Sequence, residues 1–361
     1  MKAPRFAPLR FDDLEPRPDW WRVRPEEIVE LCSSVRRGRA EKIADSSLGY
    51  PVYAVIYNDY EDAPPQTNWS AGSASGKPAC YAPEGKPQTV LFCAGIHGAE
   101  AESVAAMVNL IRMFETGADF RGKSDPEFVE LASHYRLVIV PCVNMDGRAI
   151  SPDHLRRASL DQFNLASQGL WADGSVISWL GSKEHFPLPL DRVQFPGGYP
   201  NAEGFNIMHD ACAGNLRTAE AAGLLKFVER YRVDCALNGH SCSYPPSVLA
   251  PSLLNYEPHI RRGTELACAV NRRYFEAGLR PNPAAVESKQ FTLNLNTQMA
   301  LASGALALTL ECNVSSFYRG ELACIQTFDE MIEPNYILLK EALKSGLEAP
   351  LSDRAQLLRR V

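Results

Sequence analysis

His97 and Glu100 stand in an H-x-x-E spacing at the end of the apolar run Thr89-Val-Leu-Phe-Cys-Ala-Gly-Ile-His97, beside Gly95 and Gly98. On a turn that opens into a helix, this spacing lets an imidazole and a carboxylate converge on one ion. A second histidine, His240, follows the run Val233-Asp-Cys-Ala-Leu-Asn-Gly239, with Ser241 after it. Two neutral imidazoles and a carboxylate are the protein ligands of a zinc site that keeps one position open for chemistry. We therefore expect one Zn2+ ion held by His97, Glu100 and His240. The ligand types would also admit Mn2+ or Co2+.

Glu311 closes a third apolar run, Ala305-Leu-Ala-Leu-Thr-Leu310. A carboxylate there is costly to bury unless it is paired, hydrogen-bonded or used in a reaction. Beside a metal-activated water it would act as general base and then as acid towards the leaving group. Singly, each residue has a plainer reading. His97 and Glu100 would suit a helix cap and first turn, His240 a hydrogen-bonded strand end, and Glu311 a surface carboxylate.

The elements that must position these groups can be read from the apolar pattern. Strands are expected at 51–57, 88–94, 136–142, 233–238 and 305–310. Helices are expected around 24–37 and at 100–116, 126–134, 216–231, 257–277 and 328–345. Alternation of short apolar strands with helices indicates a mostly parallel sheet covered on both faces. Ligands of such sheets gather beyond the carboxyl ends of the strands. His97, Asn144, His240 and Glu311 all fall at or just past such ends, which is independent support for a single site. Residues 58–87 read as a long surface loop rich in Pro, Gly, Ser and Asn. The stretch 148–215 lacks periodicity but carries Trp171, Trp179, Phe186, Phe195 and Tyr199, which favours an ordered rim.

The chain has 361 residues, 45% hydrophobic and 22% charged, with a net charge of −6. Such a balance argues against nucleic acid or an anionic membrane as partner. No apolar stretch is long enough for a membrane-spanning helix, and the N-terminus offers no signal-peptide core. The 10 cysteines are scattered without a C-x-x-C pair, so reduced thiols in a cytoplasmic enzyme are expected.

In order and spacing, His97-Gly-Ala-Glu100, Asn144-Met-Asp146-Gly147, Gly239-His240-Ser241 and Thr309-Leu-Glu311 resemble the zinc metallocarboxypeptidase family, over roughly residues 40–345. The resemblance implies an α/β fold, a three-layer α/β/α sandwich around a mixed, mainly parallel sheet of about eight strands. It places an N-terminal extension at 1–40, a catalytic domain at 41–346 and a tail at 347–361. It also implies an arginine as oxyanion stabiliser after the Asn-x-Asp-Gly turn. Arg156 and Arg157 fall in about that place, with Arg148 and Arg217 as further candidates that could also bind substrate. The family's Asn-Arg pair for a substrate carboxylate is replaced here by Met208 and His209, in the stretch Gly204-Phe-Asn206-Ile-Met208-His209-Asp210. Asn206 and His209 are the candidate substrate contacts in that stretch.

The resulting expectation is a zinc-dependent hydrolase of a peptide or small amide, carboxypeptidase-like, with its oligomeric state open. One alternative is a deacylase of N-acyl amino acids, similar to the succinylglutamate desuccinylase and aspartoacylase branch. Another is a non-catalytic binding protein on the same fold, against which the presence of Glu311 speaks. The H-E-x-x-H pattern of other zinc proteases is absent.

Overall fold

In a computed structural model, the residues described are 2–82, 85–179, 181–210, 216–242, 245–249, 257–279, 293–317 and 325–352. The first strands are β1 (Arg39–Asp45), β2 (Pro51–Tyr57), β3 (Thr89–Ala94) and β4 (Arg136–Val140). Two short strands, β5 (Leu170–Trp171) and β6 (Val193–Phe195), pair in a separate small sheet. β7 (Cys235–Cys242), β8 (Ser247–Leu249) and β9 (Leu306–Asn313) complete the main sheet. Among the described residues that sheet has seven strands, in the order β1-β2-β4-β3-β7-β9-β8.

Its centre, β4-β3-β7-β9, is parallel, while β1, β2 and β8 pair antiparallel at the two edges. The parallel centre explains the unbroken apolar runs: every residue of β3 and β4 is buried, as in a strand covered on both faces. β1 is different. Its sequence Arg39-Ala-Glu-Lys-Ile-Ala-Asp45 is polar and half-exposed, and a sheet edge facing water tolerates that.

The helices of the first half are α1 (Pro25–Ser33), α2 (Trp69–Ala74), α3 (Ala101–Thr116), α4 (Pro126–Ser133), α5 (Met145–Ile150), α6 (Leu160–Ser167) and α7 (Gly181–Glu184). Those of the second half are α8 (Ala219–Arg230), α9 (Glu257–Glu276), α10 (Leu295–Ser303) and α11 (Phe328–Glu348). α8 and α10 pack together against β1, β7 and β9, with α2 beside α10. α3, α9 and α11 form the other helical layer, with α1 and α4 at its side. The three-layer sandwich is thus present.

α3 is buried nearly all round, through Ala101, Val104, Ala105, Met107, Val108 and Ile111 among others, as befits a helix that is apolar on most of its faces. Trp21, Val23, Ile28 and Leu31, from the expected N-terminal extension, join the same core as the sheet. The expected loop 58–87 contains α2, capped by Asn68 accepting from Ala71 N–H. Eight cysteines are free, and Cys212 and Cys324 lie outside the described residues. No described helix is long and apolar enough to cross a membrane.

Candidate metal centre

β3 delivers His97 through a turn in which Gly95 takes a φ of 61°, a backbone state that favours glycine. The next glycine, Gly98, sits where a Cβ would overlap the Gly147 carbonyl of α5. Its N–H donates to Gly198 O at 2.6 Å. Chain direction then reverses into α3, for which Glu100 is the N-terminal cap position. Its side chain makes no capping bond. It turns instead to the histidines, beside the positive end of the helix that favours its charge.

Glu100 bridges the two rings. Its Oε1 lies 2.8 Å from His97 Nδ1 and its Oε2 2.9 Å from His240 Nδ1. The two Nδ1 atoms are 3.2 Å apart, and the Ser241 N–H donates to Glu100 Oε2 at 3.2 Å. Nitrogens that close need a shared proton or cation between them. Four ligands at zinc's usual distances would stand about 3.3 Å from one another, close to the spacing seen. Donor atoms from His97, Glu100 and His240 all fall within 4.8 Å of one another. The set fits one zinc ion.

Neighbours hold the ligands in place. His97 Nε2 is 3.2 Å from Asn206 Oδ1, an outer hydrogen bond of the kind that fixes a ligand's tautomer and ring angle. The Tyr199 ring meets the His97 ring edge-on, centroids 4.6 Å apart. Burial alone would raise the Glu100 pKa, but the two histidines pull it down to about 2. The carboxylate is therefore ionised and ready to ligate.

Glu311 sits on β9, in register with His240 on the parallel neighbour β7. Its side chain is partly exposed. Burial, with the negative charge of Glu100 adding to it, raises its pKa to about 7 against the pull of His240 and Lys183. One step deeper on the same two strands, Asn238 and Thr309 are again paired in register. Asn296 of α10 ties them, accepting from Asn238 at 2.8 Å and donating to Thr309 Oγ1 at 2.5 Å. This polar row sets the site on the α10 side of the sheet. Both His240 and Glu311 lie within strands that run further than the sequence pattern indicates.

The other candidate residues divide. Asn206 is buried against His97, as its position allowed. His209 is half-buried and held near neutrality of charge, its pKa pushed down to about 4 by burial and by Lys183, His97 and His240. Asp210 accepts from the backbone of Arg217 and Thr218 and from the Thr218 hydroxyl, so it builds the turn before α8. Asn144 caps α5 through Gly147 N–H and donates to Pro200 O at 3.2 Å.

Two of the candidate arginines are engaged elsewhere. Arg148 is buried and donates to the carbonyls of Gly98, Ser151 and Pro152; a guanidinium so enclosed braces the turn and has no face for substrate. Arg156 is ion-paired with Glu15 and donates to Gln326 O at 2.5 Å, which commits it away from an oxyanion. Arg157 takes a φ of 61° and, like Arg217, carries an exposed side chain. Neither has a contact that ties it to the histidines.

Two groups near the centre escaped the sequence pattern, Lys183 and the Ser241 N–H, while Tyr199 was legible only as a rim aromatic and not as a neighbour of His97. Tyr199 had a signal in Gly197-Gly198-Tyr199, a close-packed turn before an aromatic. Lys183 had none.

Residues 33–173 match the zinc carboxypeptidase family model. That stretch carries His97, Glu100 and the Asn144–Gly147 turn, while His240 and Glu311 lie beyond it. Together with the His-Glu-His cluster, the match is that of a zinc hydrolase. The fold is similar to that of a metallo-carboxypeptidase from Burkholderia cenocepacia, with a TM-score of 0.55 and 14% identity, covering 89% of this chain and 67% of that one. A metallo-carboxypeptidase from Pseudomonas aeruginosa, in complex with (2-guanidinoethylmercapto)succinic acid, is similar at a TM-score of 0.53 and 12% identity over 90% of this chain and 68% of the other. Thrombin activatable fibrinolysis inhibitor is similar at 0.51 and 15% identity, over 93% and 78%. No curated protein matches the sequence.

Proposed function

We propose that this zinc hydrolase cleaves a peptide or small amide bond, with Glu311 as general base. The observation that carries the reading is the register pairing of Glu311 with His240 across β7 and β9. A carboxylate of raised pKa next to one of the three residues that could hold a metal supports the reading.

His97, Glu100 and His240 would hold the zinc ion, which when bound would supply a Lewis acid for the substrate carbonyl and for water. Glu311 then accepts a proton from the attacking water as the new C–O bond forms. It returns that proton to the amide nitrogen as the C–N bond breaks, so the products leave as acid and amine. Asn206 holds the His97 ring at Nε2, and Ser241 N–H steadies Glu100, so the ligands keep their aim through the reaction.

A second reading uses the same centre on an N-acyl amino acid. What favours it is the turn at 206–210, where Met208 is buried and His209 is kept uncharged near neutral pH. Peptides with a free C-terminus, C-terminally blocked peptides and N-acyl amino acids, assayed side by side on zinc-loaded protein, separate the two readings. Turnover of the free peptides alone would reject the deacylase. The hydrolase reading itself is tested by Glu311→Gln, which should keep zinc and lose turnover of every class.

A further inference from the structure

Lys183, in the short helix α7, is the basic side chain whose charge acts on both Glu311 and His209. Its Nζ lies 3.5 Å from the centroid of the Trp179 ring. Among the described residues no carboxylate lies within ion-pairing distance of it, and it is half-buried. A half-buried ammonium keeps only part of its hydration, and an aromatic face makes up only part of the remainder, so a carboxylate arriving on that face would be favoured. Three N–H donors cannot all be met by one ring.

The neighbours locate this cation. The Trp179 indole stands next to the Tyr199 hydroxyl, and the Tyr199 ring meets His97 at 4.6 Å. Lys183 is thus two side chains removed from a metal ligand, on the rim rather than in the centre. The arginines cannot take its place, since Arg148 and Arg156 are already engaged.

We infer that Lys183, presented on the face of Trp179, is the cation that receives a carboxylate carried by the substrate. This rests on the hydrolytic reading of the centre. Two sources share the chemistry: the terminal carboxylate of a peptide, or a carboxylate in the acyl part of an N-acyl amino acid.

The test uses zinc-loaded full-length protein and two variants, Lys183→Met and Lys183→Arg, with melting curves to confirm that each folds. Calorimetric binding of N-acetylphenylalanine, N-acetylphenylalaninamide and N-succinylphenylalaninamide separates the sources. Lys183→Met should weaken the binding of one carboxylate probe by about tenfold or more, leave the neutral amide unchanged, and be rescued by Lys183→Arg. Loss confined to N-acetylphenylalanine assigns the terminal carboxylate, and loss confined to the succinyl probe assigns the acyl carboxylate. With a matching substrate, KM should rise while kcat stays within about twofold. Equal binding of both carboxylates by wild type and Lys183→Met overturns the inference, as does wild type that binds neither. Lysine-dependent binding in a protein that hydrolyses nothing would sink the hydrolase reading and leave this one standing.

Discussion

His240 and Glu311 occupy paired positions on adjacent parallel strands, β7 and β9. Side chains so paired emerge on one face of a sheet at a separation fixed by the backbone ladder. The Glu311 carboxylate is therefore held by the sheet ladder itself, without help from a loop. Glu311→Gln keeps shape and register and removes only the proton acceptor. Zinc content should stay near one per chain while kcat falls by about 10²–10⁴. Undiminished turnover in that variant would take Glu311 out of the reaction.

Metal and fold should be linked. The ligands come from β3, α3 and β7, so an ion joins elements far apart in sequence. Free zinc at about 100 times its Kd should stabilise the chain by about 2.7 kcal/mol. A chelator should reverse the gain. In His240→Ala the melting temperature should no longer respond to zinc; a response equal to wild type would refute the ligand assignment.

Glu220 gives a pH dependence unconnected with catalysis. It is buried in the first turn of α8, and desolvation raises its pKa from 4.5 to about 7. The folded chain thus holds this proton more tightly than the unfolded one. Its contribution to stability is whole below 4.5 and is lost as pH rises towards 7. The loss amounts to about 3 kcal/mol. Glu220→Gln should melt higher than wild type at pH 8 and equally at pH 4; a constant difference at both would contradict the assignment.

Arg148 and Arg156 should behave as framework. Arg148→Met strands three carbonyl acceptors and should cost about 1–3 kcal/mol for each group left buried and unpaired. Arg156→Gln breaks a partly buried ion pair and a hydrogen bond to Gln326 O and should cost about 1–3 kcal/mol. Neither should lower the kcat of folded, zinc-loaded enzyme by more than about threefold. A hundredfold loss in Arg156→Gln would return it to the mechanism.

Gly98 is the tightest crossing in the molecule's working end. Gly98→Ala must push the His97 turn off α5, because the added methyl would meet backbone. The strain should cost about 1–3 kcal/mol or more, and zinc affinity should fall with it. Chemical denaturation and metal titration of the same sample read both effects.

Much of this was legible because buried parallel strands are written as unbroken apolar runs. β3, β4, β7 and β9 all announce themselves that way, and their ends point to His97, His240 and Glu311. β1 does not, since an edge strand with polar residues on both faces has no apolar rhythm to read. β8 has three residues, too few for any periodicity. The arginines were less legible. The resemblance offered Arg156 and Arg157, with Arg148 and Arg217 as further candidates, but only the fold shows that carbonyls and Glu15 already engage Arg148 and Arg156. Lys183 lies in an aperiodic stretch, where nothing but packing against Trp179 gives it meaning.

The bond between Asn206 and His97 has a wider consequence. Asn206 belongs to the same turn as His209, the surface most open to change if the chain were to acquire a new substrate. Any remodelling of that turn would also alter the hydrogen bond on the imidazole proposed to hold the ion. On the proposed reading, a change made there for selectivity would therefore carry a change in metal affinity with it.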